Sequence, residues 1–210
     1  MAKDLYSKSD AHETSYVSED GANAYSMLLS SYLKKDNLFS NVANWMEKYL
    51  DRQRLDIETS LDRYEFRVVR ADHSTRIQEV GQGVTQVLPI IVQSFIQQHN
   101  SVMIVEEPEL HLHPSAHAPL MELIAHSASN NGGVALVETH SENMVLALRR
   151  MVARGELSTD KVSIAYIDFD DETGEAVLKP INIKSNGSLS YWPNGVFSES
   201  YDLLNDILTF

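Results

Sequence analysis

In VMIVEEPELHLHP, residues 102–114, an apolar run ends in two adjacent glutamates. An uninterrupted apolar run is typical of a strand that is covered on both faces of a parallel sheet. Two carboxylates at about 4 Å repel each other by roughly 4 kcal/mol at an effective dielectric constant of about 20. Glu106 and Glu107 therefore predict a cation or a proton at this strand end.

A second apolar run, VALV, residues 134–137, is followed by ETHS, residues 138–141. Ligands of α/β proteins collect at the carboxyl ends of parallel strands, so we expect the two strand ends to share one edge. Mg²⁺ prefers oxygen ligands and is usually held by one or two carboxylates with waters and substrate phosphates. The pattern predicts that Glu106 orients this metal, that Glu107 takes a proton from an attacking water, and that His140 contacts a terminal phosphate.

A glycine-containing helix start precedes both strands, in EVGQGVTQVLPIIVQSFIQQ, residues 79–98. Glycines at a helix N-terminus let an anion approach free backbone N–H groups, where the helix dipole also favours negative charge. Gly81 and Gly83 therefore predict an anion site, although a simple turn explains the same pattern.

The rest of the chain falls into zones. Residues 1–20 have no periodicity, residues 21–76 combine a helical pattern over 21–50 with the strand YEFRVVR at 64–70, and residues 77–210 hold the α/β segment. KVSIAYIDF and EAVLKPINI flank the turn at 170–174 and predict a C-terminal hairpin. The aromatic tail, 191–208, predicts a turn followed by a short helix.

Composition narrows the class of protein. A formal charge of −13 over 210 residues argues against an evenly basic nucleic-acid-coating protein, and zero cysteines exclude disulfides and cysteine-ligated metals. No secretion signal or membrane span is found, so a cytoplasmic protein without membrane contact is expected. Arginines are densest between Arg52 and Arg76; we interpret them as a solvated β surface, with a local basic face as the alternative.

The order of these motifs over residues 78–150 resembles the C-terminal half of ABC-type ATPase domains. It is most similar to the RecF/SMC-like AAA ATPases, such as the overcoming-lysogeny and AbiEii-like groups. The resemblance makes VGQGVTQVLP the signature motif, VMIVEEPE the Walker B motif, LHLHP the D-loop and VETHS the switch-histidine segment. The sequence WPNGVF, near the end of the chain, is also similar to a C-terminal element of one such subfamily.

The resemblance implies ATP and Mg²⁺ as ligands and a head-to-tail homodimer. It makes Glu106 the metal-side acid, Glu107 the catalytic glutamate and His140 the switch histidine. It puts His111 and His113 in the D-loop. The signature residues that it turns toward the nucleotide of the opposite subunit are Gly81, Gln82, Gly83, Thr85 and Gln86. Gly81 stands where the signature serine is usual, so backbone N–H groups are expected to serve there, with Thr85 less well placed.

The sequence contains no Gly-Lys-Ser or Gly-Lys-Thr, so the phosphate-cradling P-loop is missing. The resemblance therefore implies an α/β, P-loop NTPase-like fold of the ABC type in its C-terminal portion, with a mostly parallel sheet flanked by helices, an N-terminal helical segment and a C-terminal hairpin. We expect the P-loop to come from a missing N-terminal segment or another chain, and the chain alone to be inactive. A role in defence or DNA repair, with DNA or an effector protein as partner, is a further expectation.

The sequence also allows other functional interpretations of these residues. His111, His113 and His117 suggest a metal site with nearby glutamates, and DFDDETGE, residues 168–175, suggests a calcium loop, although its glycine is misplaced. His140, Ser141 and Glu142 suggest a hydrolase triad. Further alternatives are a nuclease using Asp168, Asp170 and Asp171, a non-catalytic docking module, and an ATP-gated DNA clamp.

Overall fold

The structure is a computed structural model that describes residues 3–170 and 172–193. Within it the chain divides into two compact units, Met1–Met144 and Val145–Phe210. The sequence zones 1–20, 21–76 and 77–210 follow motifs rather than compactness, and they stay a prediction. In the described ranges, no helix combines the length and the apolar character that a bilayer span requires.

Two helices confirm the helical pattern predicted over residues 21–50. They are α1 (Ala24–Lys34) and α2 (Asn37–Tyr49). The first ends where Lys35 adopts a left-handed backbone conformation with φ 59°. The second begins where the Asp36 carboxylate accepts the Leu38 N–H at 3.0 Å. Because this carboxylate satisfies a donor that the helix leaves unpaired, the short polar turn fixes the boundary between the helices.

An antiparallel sheet packs with these helices. Its strands are β1 (Tyr6–Ser7), β2 (Arg54–Ser60), β3 (Arg63–Arg70) and β4 (His73–Arg76). Strand β3 pairs with each of the other three. The fully buried Phe66 lies edge-on to Tyr6 and Tyr25, with ring centroids 5.3 and 5.4 Å away. These contacts join β1, β3 and α1 in one core.

The strand predicted at residues 64–70 is thus confirmed. The short strand β1 lies in the segment predicted to be irregular. It forms because β3 offers it a partner, with Tyr6 opposite Tyr64. Such a pairing between distant segments leaves no periodicity in a two-residue strand.

Helices and strands alternate in the middle of the chain. They are a 3₁₀ turn (Ile77–Glu79), α3 (Gln82–Ile96), β5 (Val102–Glu106), α4 (Pro114–Asn130), β6 (Val134–Glu138) and α5 (Glu142–Ala153). β5 and β6 pair in parallel, with Val102 opposite Val134 and Glu106 opposite Glu138. This parallel pair confirms the predicted α/β class and aligns the carboxyl ends of both strands.

One face of the β5–β6 pair is open, although both faces were expected to be covered. Val102, Ile104, Val134 and Leu136 are 58–67% exposed, whereas Met103 is buried. Because successive side chains point to opposite faces, these four residues form one surface, here called the open apolar face. The apolar runs were correctly identified as strands, but a run alone does not say which segment covers each face.

The second unit contains the predicted hairpin, formed by β7 (Ile164–Phe169) and β8 (Ala176–Ile181). Asp170 organises its turn, because its carboxylate accepts the Thr173 N–H at 2.8 Å and the Glu172 N–H at 3.1 Å. The hairpin and its turn therefore account for Asp168 and Asp170. Asp171 and residues 194–210, which include most of the predicted C-terminal turn and helix, lie outside the described residues.

The hairpin should lose stability in acid. Hydrogen bonds from Thr173 hold the pKa of Asp170 below its ordinary value, and the Lys179 ammonium does the same to the pKa of Asp168. A depressed folded-state pKa stabilises the fold above the ordinary carboxyl pKa, and that contribution is lost as pH falls through the folded value. We expect amide-exchange protection in β7 and β8 to fall below about pH 4.

The control is the double variant Asp168→Asn/Asp170→Asn, which keeps an acceptor oxygen at each position and removes both titrations. Hydrogen exchange followed by NMR from pH 6 downward compares the two proteins. An equally steep loss of protection in the double variant would show that these carboxylates are not the cause.

Candidate functional site

The carboxyl ends of β5 and β6 lie side by side at one edge of the first unit. Glu106 stands opposite Glu138 in the parallel register. The ladder continues by one more bond, because the Glu107 N–H donates to the Glu138 carbonyl at 2.9 Å. The two strand ends that carry acidic and imidazole side chains are therefore neighbours in space.

Glu107 and His140 contact each other at this edge. The distance between Glu107 Oε1 and His140 Nε2 is 3.1 Å, and their side chains are 41% and 75% exposed. Glu107 adopts a left-handed backbone conformation with φ 43°. A non-glycine residue held there costs about 1–3 kcal/mol, and such residues cluster at functional sites. The geometry gives an accessible carboxylate with an imidazole nitrogen 3.1 Å from one of its oxygens.

Glu106 and Glu138 lie on the same side of the sheet as the open apolar face. Both are exposed, and their Cα atoms are direct partners in the ladder. Mg²⁺ takes one or two protein carboxylates and completes its shell with water and phosphate oxygens. This pair of carboxylates fits such a metal. In the described part of the chain, no cluster of three or more His, Asp or Glu residues forms a complete protein cage for a metal.

The predicted anion site is the start of α3. Gly81 is the N-cap residue, and a Cβ at this position would meet no atom within 4 Å, so the approach to it is open. Gln86 is exposed, and the Thr85 hydroxyl donates to the Gln82 carbonyl at 2.9 Å. The hydroxyl of Thr85 is thus engaged within the first turn of its own helix.

Gly83 has a different environment, which the sequence did not indicate. A Cβ there would collide with the His111 carbonyl oxygen, so α3 packs directly against the backbone of His111. His111 adopts a left-handed conformation with φ 62° at this contact. Only a residue without a side chain permits this close approach. The structure thereby brings the predicted signature helix and the predicted D-loop together.

The three histidines proposed as metal ligands make ordinary hydrogen bonds or stay at the surface. His113 is the N-cap of α4, where Nδ1 accepts the Ser115 N–H at 3.3 Å. His117 lies 2.8 Å from the Ser141 hydroxyl through Nδ1 and 3.3 Å from the Leu112 carbonyl through Nε2. Both nitrogens of His117 are therefore engaged, and across residues 3–170 and 172–193 no group of three or more His, Asp or Glu is placed to hold a metal.

Glu109 is a site neighbour whose role the sequence did not reveal. It is only 8% exposed. Its Oε1 accepts the Thr139 hydroxyl at 2.6 Å and the His140 N–H at 2.8 Å. The partners are 30 and 31 residues away in sequence, so only the fold shows that this third glutamate touches the segment that carries His140.

Two further alternatives, the hydrolase triad and the local basic face, gain nothing from the geometry. Ser141 is buried and its hydroxyl bonds to His117, so Ser141 does not form a reactive triad with His140 and Glu142. In the arginine-rich segment the charges are mostly neutralised: ion pairs with carboxylates are made by Arg54, Arg67, Arg70 and Arg76. This agrees with a solvated β surface rather than a free basic face.

Comparison with protein families gives a match to the family described as AAA ATPase domain, over residues 4–145. The matched span is more than half of the chain and nearly coincides with the first compact unit. It extends the similarity beyond residues 78–150 to include the N-terminal helices and the antiparallel sheet. A comparison with curated proteins found no match.

Solved structures show a similar fold in SMC ATPase heads. One, from work on ATP-driven dimerization and DNA stimulated activation of SMC ATPases, aligns with 85% of this chain and 95% of its own, at 11% identity and a TM-score of 0.51. Another, the SmcHead bound to the C-winged helix domain of ScpA, aligns with 74% of this chain and 46% of its own, at 12% identity and a TM-score of 0.54. At these identities the likeness concerns the fold, which is α/β and P-loop NTPase-like.

Proposed function

The chain belongs to the AAA ATPase domain family, and on this basis we propose that it supplies the Walker B, switch-histidine and signature groups of an ATP-hydrolysing site. The observation that carries the proposal is the 3.1 Å contact between Glu107 Oε1 and His140 Nε2 at the carboxyl ends of two parallel strands. This is the edge at which α/β folds bind their ligands.

Glu107 is the general base of the proposed reaction. It accepts a proton from water as the water oxygen attacks the terminal phosphorus of ATP and the bond to ADP breaks. An exposed carboxylate just beyond the strand end is accessible to such a water, and the adjacent imidazole restricts its orientation. His140 donates a hydrogen bond toward the terminal phosphate or toward Glu107, according to its tautomer.

Glu106, with Glu138 beside it, is the proposed holder of Mg²⁺. When bound, the metal supplies positive charge that offsets the charge of the ATP phosphates. The protein contributes carboxylate oxygens at the correct sheet edge, and both side chains are exposed to a ligand. A metal that arrives with its nucleotide agrees with the small number of protein ligands in the described residues.

The signature segment and the D-loop are proposed to meet a second subunit. The open approach at Gly81 suits a phosphate, whereas Gly83 maintains the contact between α3 and His111. His113 lies in the same loop and is exposed. A head-to-tail dimer lets the Gly81–Gln86 segment of one subunit face ATP on the other, and the SMC ATPases of similar fold are described as undergoing ATP-driven dimerization.

The P-loop of the proposed site comes from another segment or chain, because the sequence has no Gly-Lys-Ser or Gly-Lys-Thr. We assign the open apolar face to this P-loop segment. Parallel sheets normally have both faces covered, and this face runs directly into Glu106 and Glu138. A strand–helix segment that covers it therefore brings its phosphate-binding loop to the acidic strand ends.

Calorimetry with Mg·ATP tests the proposal. The titrated samples are the chain alone and the chain with the Gly-Lys-Ser/Thr-containing polypeptide encoded beside it. We expect binding only in the second sample. Binding by neither sample, or no such polypeptide in the adjacent reading frames, contradicts the shared site and favours a docking module. Binding by the chain alone contradicts the need for a second segment.

A further inference from the structure

A buried carboxylate stands behind the exposed pair Glu107–His140. Glu109 follows β5 by three residues and is 92% buried, as its 8% exposure shows. Its Oε2 atom is buried and has no hydrogen-bond partner in the described residues. Burying a carboxylate is costly unless its hydrogen bonds compensate, so the two hydrogen bonds that Oε1 accepts are the ones that offset this cost.

Those two bonds fix the segment that carries His140. Glu109 Oε1 accepts the Thr139 hydroxyl at 2.6 Å and the His140 N–H at 2.8 Å. The Thr139 oxygen in turn accepts the Ser141 N–H at 3.0 Å. Three consecutive residues are therefore tied, directly or through one hydroxyl, to a single carboxylate oxygen from the other strand end.

We propose that Glu109 is the positioning residue for His140. It anchors the backbone of His140 from the buried side, while the imidazole reaches Glu107 on the exposed side at 3.1 Å. The ring is 75% exposed and has little packing to hold it, so the backbone anchor determines where Nε2 lies. This inference rests on the proposed function for its effect on catalysis, but the anchoring itself is a property of the chain alone.

The hydrogen bond between His117 and Ser141 distinguishes the positioning of His140 by Glu109 from a general stabilisation of the loop. Ser141 is held independently by His117, whose ring nitrogens lie near the Ser141 hydroxyl and the Leu112 carbonyl. The loop is therefore expected to remain in place when Glu109 is changed, and the freedom gained is confined to Thr139 and His140.

The test uses a matched pair of variants. Glu109→Met keeps the length of the side chain and removes both accepted hydrogen bonds, whereas Glu109→Gln keeps an oxygen that accepts them. A second pair, Thr139→Val and Thr139→Ser, removes and keeps the hydroxyl bond, and it replaces the first pair if Glu109→Met does not fold. NMR hydrogen exchange of the His140 amide in the isolated chain measures the anchor.

We expect amide protection at His140 to fall at least tenfold in Glu109→Met and to be retained in Glu109→Gln. The His140 ring resonances should shift in the first variant only. Equal protection and unchanged ring resonances in Glu109→Met overturn the proposal. This experiment needs no ATP, so its outcome stands even if the chain proves to have no nucleotide function.

Kinetics of the protein combined with its P-loop segment then test the effect on the reaction. A misplacement of about 1 Å can lower a rate by roughly 10², so we expect kcat to fall 10- to 100-fold in Glu109→Met. KM for ATP should change little, and Glu109→Gln should restore the rate. An altered amide with an unchanged kcat refutes the catalytic role of the anchor, whereas an inactive wild-type combination refutes the proposed ATPase function itself.

Discussion

Replacing Glu107 by Gln should lower ATP turnover by roughly 10²- to 10⁴-fold in the protein combined with its P-loop segment, because that is the usual contribution of a general base. Gln keeps the size of the side chain and a hydrogen-bonding oxygen, but the amide does not accept a proton from water. Binding of Mg·ATP should persist, so the variant should accumulate as the ATP-bound complex. Phosphate release and retained nucleotide measure the two effects.

The matched control is Glu142→Gln, the same change at an exposed glutamate in the first turn of α5. We expect its turnover to match that of the unaltered protein. The control also tests the alternative of a His140–Ser141–Glu142 triad, because that triad requires the Glu142 carboxylate and predicts a loss of activity in Glu142→Gln. Unchanged turnover in Glu107→Gln would show that Glu107 is not the general base.

The double variant Ile104→Lys/Leu136→Lys should prevent the P-loop segment from binding. Both side chains are more than 60% exposed in the structure, so the isolated chain should lose less than about 0.5 kcal/mol of stability. A segment seated on the open apolar face would bury these charges without partners. An uncompensated buried charge costs about 3–5 kcal/mol, which weakens association by roughly 10²- to 4 × 10³-fold.

Leu61→Lys is the control for this variant, because Leu61 is 96% exposed in the turn between β2 and β3. It adds the same charge away from the open apolar face and should leave the affinity unchanged. Affinity is measured by calorimetry and the oligomeric state by sedimentation. Undiminished affinity in the double variant contradicts the assigned docking face. A dimer of the chain that becomes monomeric in the double variant identifies a second copy as the occupant instead.

The sequence predicted the parts of the fold that depend on local patterns. Helical spacing located α1 and α2, alternation located β3, and the Asp170 turn located the hairpin. The rule that ligands meet strand carboxyl ends also placed Glu107 and His140 at one edge, where they contact each other in the structure. The secondary-structure inferences need only the neighbours of a residue in the chain, whereas the shared edge also needs the general rule for the carboxyl ends of parallel strands.

Features that depend on distant contacts were not predictable. The sequence shows Gly83 as a helix-start glycine, but its close approach to His111 requires both segments to be placed in space. Glu109 meets Thr139 across 30 residues. The exposure of Ile104 and Leu136 depends on whether another segment covers them, and the apolar pattern is the same in both cases.

The decisive experiment measures phosphate release from Mg·ATP by the chain, by the P-loop segment and by their mixture at equal concentrations. We expect sustained turnover in the mixture and none above background in either component. A mixture that releases no more phosphate than the sum of its components would contradict the claim that the Glu107–His140 edge is half of a shared ATPase site.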